Sequence, residues 1–432
     1  MTTLAALGGP AVGAFNPPPW PQASQATLDA LRDVVRSGRW SLSGAWQDGP
    51  SAEARFAAAF ARFTGVPHCV PTTNGTSALV IALEALDVGP GDEVIIPGLT
   101  WVANATTVRA VAATPVMADI DPATLCLSPA AVEAAITPRT RAIVAVHLYS
   151  SVADLDAILA IGARHNVPVI EDCAQAHGAA WRGRRVGSWG AAGTFSMQQT
   201  KLLTAGEGGA VVCSDDLLHD RLYQLRSDGR RSKACPARGE MELVMDSSIT
   251  GTNYCLSELG AAVLGEQLTL LAEQNHHRAR TADSVDKLLF SAEGVEPIQT
   301  PLQVTGRTYY YYTLRIHPDA FGGAHAATVC RALAAETGIP FQPTYPPLYR
   351  HPLYQPSTKR RYAMPEAVSD GPPGGLPEVE RAYREVITFH HSVLLAEGDA
   401  LSHLPKAIDK VQCAPAELRQ LEAEGIDFTN PL

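Results

Sequence analysis

Residues 141–174 read RAIVAVHLYSSVADLDAILAIGARHNVPVIEDCA, and their pattern changes twice along the chain. The first part, 141–149, and the last part, 167–174, are short and apolar, as buried strands are. Between them, residues 153–166 place apolar side chains three and four apart, which predicts a helix. A strand, a helix and a second strand in this order form a crossover unit, so the two strands are expected to lie parallel in one sheet.

The same alternation extends from about residue 70 to residue 215. It comprises helical SALVIALEAL (77–86), strand DEVIIPG (92–98), helical WVANATTVRAVA (101–112) and strand TPVMADI (114–120). Farther along lie a long helical pattern (257–289), a strand TYYYYTLRI (308–316) and a helix AATVCRALAAETG (326–338). We therefore predict an α/β fold with a large, mostly parallel sheet and a second, smaller lobe.

Composition argues against several classes of function. The chain has 432 residues, 46% of them hydrophobic, and a net formal charge of −10. Because it is acidic and lacks a long basic run, nucleic acid is not expected as the main partner. No apolar stretch is long enough for a membrane span, and the N-terminus lacks the basic start of a signal peptide. Eight scattered cysteines without a C-x-x-C pair disfavour a zinc site or a disulfide framework, so we expect a cytoplasmic protein without a metal.

Two acids, Glu171 and Asp172, lie near the end of the strand at 167–174. The carboxyl ends of parallel strands line the ligand crevice of such sheets. A carboxylate there can hold a metal, a ribose or a cationic ring nitrogen. Alternatively, either acid caps the segment that follows. Gln175 and His177 lie just beyond and can reach the same crevice, although a single histidine is more often a structural hydrogen-bonding residue.

The segment TTNGTSAL (72–79) leads into the first helical pattern. The pair Asn74 and Gly75 is typical of a hairpin turn. Because a helix follows, the pair also predicts a helix N-terminus, where Gly75, Thr76 and Ser77 offer amide groups and hydroxyls to an anion.

A lysine stands in the middle of TFSMQQTKLLTAGEGGAV (194–211), in a chain in which only six of the 34 basic residues are lysines. In a sheltered pocket Lys201 would be nucleophilic and suited to Schiff-base chemistry. Ser196 could meet a phosphate, and the glycines at 206–209 allow the backbone to approach closely. The alternative is an exposed lysine between two strands, and for this segment alone that alternative prevails.

The three segments together favour one ligand. A phosphorylated pyridine aldehyde needs an anion site, an acid for its ring nitrogen and an amine for its aldehyde. Residues 75–77, Asp172 and Lys201 supply these three groups. Trp101 follows another strand end and could stack on the ring, although buried tryptophans usually belong to the core.

Five motifs occur in the order typical of one protein family. They are TTNGTSAL (72–79), PGLTWVAN (97–104), EDCAQAHGA (171–179), TFSMQQTKLLTAGEGGAV (194–211) and GTNYCLSELGAAVLGEQL (251–268). The sequence thus resembles the sugar aminotransferases of the DegT/StrS type over nearly its whole length. The resemblance implies pyridoxal 5'-phosphate and the type I aspartate-aminotransferase fold. It also implies an N-terminal arm and a large seven-stranded domain in residues 1–265, and a smaller α+β domain in residues 266–432.

The resemblance also implies roles for single residues around the ring of the cofactor. Lys201 matches the lysine that forms the Schiff base and then moves protons. Asp172 matches the acid paired with the pyridinium nitrogen, and Gln175 matches a glutamine near the ring oxygen. Trp101 occupies the position of the stacking aromatic residue.

Other positions match the family's phosphate ligands. These are Gly75, Thr76 and Ser196. Asn253 matches an asparagine that reaches the cofactor phosphate of the neighbouring subunit. The resemblance therefore implies a homodimer with shared active sites.

Two further motifs, SMQQTK (196–201) and FHHSVLL (389–395), resemble the branch of the family that aminates cyclitol ketones. The resemblance implies transamination of a ketone of the scyllo-inosose or 2-deoxy-scyllo-inosose type in aminoglycoside antibiotic biosynthesis. The expected donor is an amino acid, with L-glutamine favoured. Gln199 and Tyr345 are the predicted substrate contacts.

The chain departs from the family pattern at two places. Cys255 stands where the family has an arginine, and HLYSS (147–151) stands where it has HLYGQ. Both departures bear on the substrate region rather than on the chemistry.

Three other functions compete with this interpretation. One is amination of a nucleotide-linked ketosugar with L-glutamate as donor, for which Lys359, Arg360 and Arg361 could meet the diphosphate. Another is a dehydratase of the same fold, but such enzymes carry histidine in place of Lys201. The last is a cofactor-binding regulator without activity, which the complete set of cofactor residues disfavours.

Overall fold

The computed structural model describes residues 3–45, 49–233, 236–358, 372 and 374–425. Its strands are β1 (His68–Thr72), β2 (Glu93–Pro97), β3 (Thr114–Ala118), β4 (Thr140–Val146), β5 (Val169–Asp172), β6 (Ala180–Trp181), β7 (Arg184–Arg185), β8 (Ala192–Ser196), β9 (Gly209–Cys213), β10 (Arg231–Ser232), β11 (Leu243–Val244), β12 (Val295–Pro297), β13 (Val304–Gly306), β14 (Tyr311–Ile316), β15 (Phe341–Pro343) and β16 (Val386–His390). Its α-helices are α1 (Gln25–Ser37), α2 (Ala52–Thr64), α3 (Gly75–Ala85), α4 (Ala103–Ala110), α5 (Pro129–Ala135), α6 (Leu155–His165), α7 (Asp216–Arg226), α8 (Glu258–Leu289), α9 (Ala326–Thr337), α10 (Pro377–Glu385), α11 (Leu404–Gln412) and α12 (Pro415–Ala423).

Seven strands form the large sheet, in the order β1-β9-β8-β5-β4-β2-β3. Strand β9 is antiparallel to both of its neighbours, and the other pairs are parallel. Strands β4 and β5 lie side by side with α6 as their connection, which confirms the crossover unit expected at 141–174. The α/β fold with a large, mostly parallel sheet is therefore confirmed.

Both faces of this sheet are buried. Val94 and Val144 pack with the apolar residues of α3 and α4 on one face. Ile95 and Ile143 pack with α5 and α6 on the other. Strands covered on both faces read as continuous apolar runs, which explains why β2 and β4 lack the alternation of a half-exposed strand.

Side-chain caps fix where the helices near the sheet edge begin. The Asn74 carbonyl oxygen of the side chain accepts from the amide of Ser77, and the Ser77 hydroxyl accepts in turn from the amide of Asn74, at the start of α3. Asp154 caps α6 and Ser257 caps α8 more simply, each through a side-chain oxygen that accepts from one backbone amide of the first turn. Such caps satisfy amide groups that a helix start leaves without partners.

Strand β4 is shorter than the sequence predicts. The expected strand covers 141–149, whereas β4 ends at Val146 and Tyr149 has a φ of 58°, in the left-handed region. The turn directs the amide of Tyr149 at the side chain of Gln175, whose Oε1 accepts from it at 2.7 Å. The strand therefore ends early because the backbone amide of Tyr149 bonds to the Gln175 side chain and not to a neighbouring strand.

A second, four-stranded antiparallel sheet has the order β12-β14-β16-β15. It packs with α9, α11 and α12 around a separate apolar core that includes Tyr312, Leu333 and Phe389. Helix α8 is 32 residues long and crosses the expected domain boundary at residue 265, so the division into 1–265 and 266–432 stays a prediction. Within the described ranges, no helix is long and apolar enough to cross a membrane.

Candidate functional site

Asp172 is the last residue of β5, at the carboxyl edge of the large sheet. Its side chain is buried and points to two donors. Oδ2 accepts from Asn104 Nδ2 at 2.9 Å, and Oδ1 accepts from the amide of Ala174 at 3.0 Å. One bond to each oxygen fixes the plane of the carboxylate and leaves both oxygens able to accept a further hydrogen bond from a cationic group.

The neighbouring acid, Glu171, is used differently. It is fully buried, and its two oxygens accept from the amides of Gly187, Trp189 and Gly190 at 2.7 to 2.8 Å. His147 Nε2 adds a fourth contact at 3.2 Å. Glu171 therefore binds the backbone of the loop at 187–190. Asp172, the last residue of β5, is the acid left at the sheet edge.

Asn104 is a site residue that the sequence analysis did not single out. It lies in the first turn of α4 and donates to both Thr100 Oγ1 and Asp172. Its Oδ1 is buried and has no hydrogen-bond partner in the described part of the chain. The only signal in the sequence was its place at the end of PGLTWVAN, one helical turn after Thr100.

Aromatic side chains form one wall of the site. Tyr345 donates through its backbone amide to Tyr149 Oη at 3.1 Å, and Gln175 Nε2 lies 3.5 Å from Tyr345 Oη. Trp101 lies 5.8 Å from Tyr345 and 5.6 Å from His351, between ring centroids. Trp101 is 45% exposed, so part of its side chain is accessible to a ligand. Burial raises the pKa of Tyr149 and Tyr345, so both keep their hydroxyl protons at neutral pH.

The start of α3 and the end of β8 form an anion cradle. A Cβ added to Gly75 would lie 2.6 Å from the Cβ of Ser196, so only glycine allows this approach. Gly209 passes equally close to the backbone of Asn74. The amides of Gly75 and Thr76 have no partner among the described residues and are available, with the Ser196 hydroxyl, to a phosphate.

Lys201 follows β8 on the loop that leads to β9. It is half-buried, and its Nζ lies 4.1 Å from the centroid of the buried Tyr310 ring. His177 is fully buried in the same region, and burial lowers its pKa to about 3, so its ring is neutral. Lys201 is therefore partly shielded from water. It is not the exposed lysine between two strands that its own segment favoured.

Other candidates lie apart from these contacts or outside the description. Gln199 and Asn253 are exposed; Gln199 bonds through its backbone to Gly206, and Asn253 Oδ1 accepts from the amide of Cys255. The Cys255 thiol faces the carbonyl of Arg226 at 3.6 Å. The basic residues considered for a diphosphate, Lys359, Arg360 and Arg361, lie outside the described residues.

The arrangement fits a flat, phosphorylated, cationic ring. The glycine-lined cradle suits the phosphate, the oriented Asp172 carboxylate suits a protonated ring nitrogen, and the accessible Trp101 ring suits stacking. Lys201 supplies the amine. The structure brings Gly75 and Ser196 together directly, and it places Gln175, Tyr345 and Trp101 along one wall.

Comparison with known proteins gives one family. The model of the DegT/DnrJ/EryC1/StrS aminotransferase family matches residues 21–400. The L-glutamine:2-deoxy-scyllo-inosose aminotransferase of Streptoalloteichus tenebrarius is 52% identical over 406 residues, which cover 93% of this chain and 96% of the relative. The L-glutamine:scyllo-inosose aminotransferase of Streptomyces griseus is 49% identical, covering 95% of this chain and 97% of the relative.

A solved structure agrees with these relatives. The crystal structure of 3-amino-5-hydroxybenzoic acid synthase matches with a TM-score of 0.79 at 31% identity, covering 93% of this chain and 99% of that one.

Proposed function

The chain belongs to the DegT/DnrJ/EryC1/StrS aminotransferase family, and on that premise we propose that it transfers the amino group of L-glutamine to a cyclitol ketone of the scyllo-inosose type. The proposal places the chain in aminoglycoside biosynthesis. The observation that carries it is the sequence identity of 52% and 49%, over more than nine-tenths of the chain, to relatives whose names state this donor and these ketones.

The enzyme is a pyridoxal phosphate aminotransferase, as its family is. When bound, the cofactor withdraws electrons from the substrate carbon and carries the amino group between donor and acceptor. We assign its phosphate to the amides of Gly75 and Thr76 and the hydroxyl of Ser196. We assign its ring nitrogen to Asp172 and its ring face to Trp101, with Gln175 near the ring oxygen.

Asp172 acts by position. Its hydrogen bonds from Asn104 and Ala174 hold the carboxylate toward the sheet edge, so that one oxygen can keep a proton on a ring nitrogen. Because the donors are already in place before a ligand arrives, little reorganisation is needed when charge develops during the reaction.

Lys201 moves the proton. Its Nζ takes the proton from the α-carbon of the amino-acid donor and returns a proton to the acceptor carbon in the second half of the cycle. The buried Tyr310 ring, with its centroid 4.1 Å from the amine, covers the amine on one side and limits its contact with water.

A hydroxyl-rich, uncharged ketone suits the aromatic wall. Tyr149 and Tyr345 keep their hydroxyl protons, and such groups can donate to or accept from the hydroxyls of a cyclitol ring. We propose Tyr345 as a substrate contact because it lies beside two predicted cofactor residues. Its hydroxyl is 3.5 Å from Gln175 Nε2, and its ring centroid is 5.8 Å from that of Trp101. We keep Gln199 as a second proposed contact because its side chain is exposed on the lysine loop.

We also propose a cytoplasmic homodimer. Asn253 is exposed in the single chain and lies next to Tyr254, whose carbonyl accepts from the amide of Thr73 beside the phosphate cradle. An exposed amide side chain at this place fits a contact with a neighbouring subunit. Buried free thiols such as Cys69 and Cys173 fit a reducing compartment.

A half-reaction tests the substrate directly. The enzyme is converted to the amine form of its cofactor with L-glutamine, freed of donor, and mixed with scyllo-inosose, 2-deoxy-scyllo-inosose or a nucleotide-linked ketosugar. We expect the aldehyde spectrum to return with a cyclitol ketone and not with the nucleotide sugar. Return with the nucleotide sugar alone would replace the proposal by its rival.

A further inference from the structure

The peptide group that joins Thr200 to Lys201 is held from both sides. On one side, the carbonyl of Thr200 accepts from His390 Nε2 at 2.9 Å and from His391 Nε2 at 3.0 Å. On the other side, the amide of Lys201 donates to the carbonyl of Gln198 at 2.9 Å. Both lone pairs of the carbonyl and the single N–H are thus engaged, so this peptide plane cannot rotate without breaking hydrogen bonds.

The two histidines must be donors through Nε2. A carbonyl oxygen only accepts, so each Nε2 carries a hydrogen. Nδ1 of His390 is then an acceptor, and Ser392 lies against it, with its hydroxyl at 2.9 Å. Burial, aided by the nearby charge of Arg278, lowers the pKa of His390 to about 4 and that of His391 well below its usual value. Both rings are therefore neutral at neutral pH, and each offers one N–H.

The side chain of Thr200 is held as well. Gln198 Oε1 can only accept, so Thr200 Oγ1 donates to it at 2.8 Å. The hydroxyl of Tyr310 then donates to Thr200 Oγ1 at 2.9 Å. Since the ring of Tyr310 also lies beneath the Lys201 amine, one side chain contacts both the residue before the lysine and its reactive end.

The groups that hold this peptide come from two sheets. Gln198 and Lys201 follow β8 of the large sheet, whereas His390 ends β16 and Tyr310 precedes β14 of the four-stranded sheet. The amide of His391 donates to the carbonyl of Tyr310 at 3.1 Å, which ties these two residues together. The orientation of the lysine is thereby linked to the seating of the smaller sheet against the larger one.

We propose that His390 and His391 are positioning residues for the amine of Lys201. By holding the Thr200 carbonyl they set the direction in which the lysine side chain leaves the backbone. The inference rests on the proposed role of Lys201 and deepens it. Because a shift of about 1 Å at a reacting group can lower a rate by about 100-fold, two hydrogen bonds remote from the substrate can control turnover.

The test compares leucine and glutamine at each position in the holoenzyme. His391→Leu and His390→Leu remove the N–H donor, whereas His391→Gln and His390→Gln place an amide donor close to the position of Nε2. His403→Leu is the matched control, because His403 Nε2 also contacts a threonine carbonyl, that of Thr337, on α9. The readouts are the pH midpoint of the bound cofactor's visible absorption without substrate, and the rate constant and KM of the L-glutamine half-reaction.

We expect the leucine variants to shift the absorption midpoint and to lower the saturated rate constant by about 10- to 100-fold, with KM for L-glutamine nearly unchanged. The glutamine variants should recover most of both properties, and His403→Leu should match the wild type. A wild-type midpoint or a wild-type rate constant in the leucine variants would overturn the proposal. So would equal losses in the leucine and glutamine variants, with or without a lowered Tm, since a restored N–H donor would then recover nothing.

The absorption midpoint requires no acceptor ketone. If the enzyme rejects every cyclitol ketone, the proposed substrate is wrong while the midpoint still tests the histidines. If cyclitol amination is found and the midpoint is unmoved in the leucine variants, the positioning role alone fails.

Discussion

Two regions meet at the site, and they are built in different ways. The carboxyl edge of the large sheet supplies Asp172, Ser196 and the start of α3 from motifs that are each continuous in the sequence. The four-stranded sheet and the residues next to its strands supply Tyr310, His390 and His391, which come from segments far apart along the chain. We expect the first region to bind the cofactor by local geometry, such as the close approach that Gly75 permits. The role proposed for the second region, to orient the lysine, rests on long-range packing, so it depends on how the two sheets fit together.

The largest effect is expected at the junction of the two regions. Lys201→Ala should lower turnover by about 10⁴-fold, the upper end of what general acid–base catalysis supplies, because the proton then has no carrier. Steady-state turnover with L-glutamine and 2-deoxy-scyllo-inosose measures it. Lys287→Ala, at an exposed position on α8, is the control and should leave turnover unchanged. A Lys201→Ala enzyme with more than a few per cent of wild-type turnover would remove the lysine from the mechanism.

The next effect separates the two adjacent acids of the first region. Asp172→Asn should lower turnover by about 10²- to 10³-fold at unchanged stability, because the group that stabilises charge on the ring is lost. Glu171→Gln should do the reverse. It should lower the free energy of unfolding by about 1–3 kcal/mol, since the loop amides lose a charged acceptor, and leave the folded enzyme active. Turnover and denaturant unfolding are measured for both variants. An inactive but stable Glu171→Gln enzyme beside an active but destabilised Asp172→Asn enzyme would exchange the roles of the two acids.

A smaller effect tests the phosphate cradle. Gly75→Ala should weaken cofactor binding by about 10- to 100-fold, because the added methyl group meets Ser196 and crowding of this kind costs about 1–3 kcal/mol. Equilibrium dialysis with pyridoxal phosphate measures the change. Gly265→Ala on α8 is the control, since a methyl group there meets nothing within 4 Å. Equal cofactor affinity in the two variants would show that the close approach of Gly75 to Ser196 plays no part in cofactor binding.

The smallest effect concerns the missed residue. Asn104→Ala should lower turnover by about tenfold, because Asp172 loses one charge-assisted hydrogen bond but keeps the one from Ala174. Thr100→Val removes only the other contact of Asn104 and should change turnover far less. Stopped-flow rates of the L-glutamine half-reaction distinguish the two variants. If Thr100→Val costs as much as Asn104→Ala, Asn104 acts by packing rather than through Asp172.

The contrast between the regions also explains what sequence could predict. The crossover at 141–174 fixed the place of Asp172, because a strand end in a parallel sheet has a known position relative to the ligand crevice. The helix start at Gly75 was predictable from local pattern as well, because a helical run directly follows the pair Asn74 and Gly75. The early end of β4 at Val146 was not, because the turn at Tyr149 is stabilised by a side chain 26 residues away. Long-range partners leave no local pattern.

The lysine loop illustrates the limit most clearly. Its two glutamines are adjacent and identical in type, yet Gln198 is bound within the loop while the side chain of Gln199 is exposed. FHHSVLL carries a family resemblance, but nothing in it indicates that both histidines contact the carbonyl of Thr200, about 190 residues earlier. That contact arises from the packing of two sheets, which no single segment encodes.

We expect Lys201 to be the residue that holds the cofactor. Borohydride reduction of the yellow holoenzyme, followed by proteolysis and mass spectrometry, identifies the lysine to which the cofactor is bound. We predict that the reduced cofactor is attached to the peptide containing Lys201 and that prior incubation with L-glutamine prevents the attachment. Attachment to Lys233, Lys287 or any other lysine would show that Lys201 is not the Schiff-base residue.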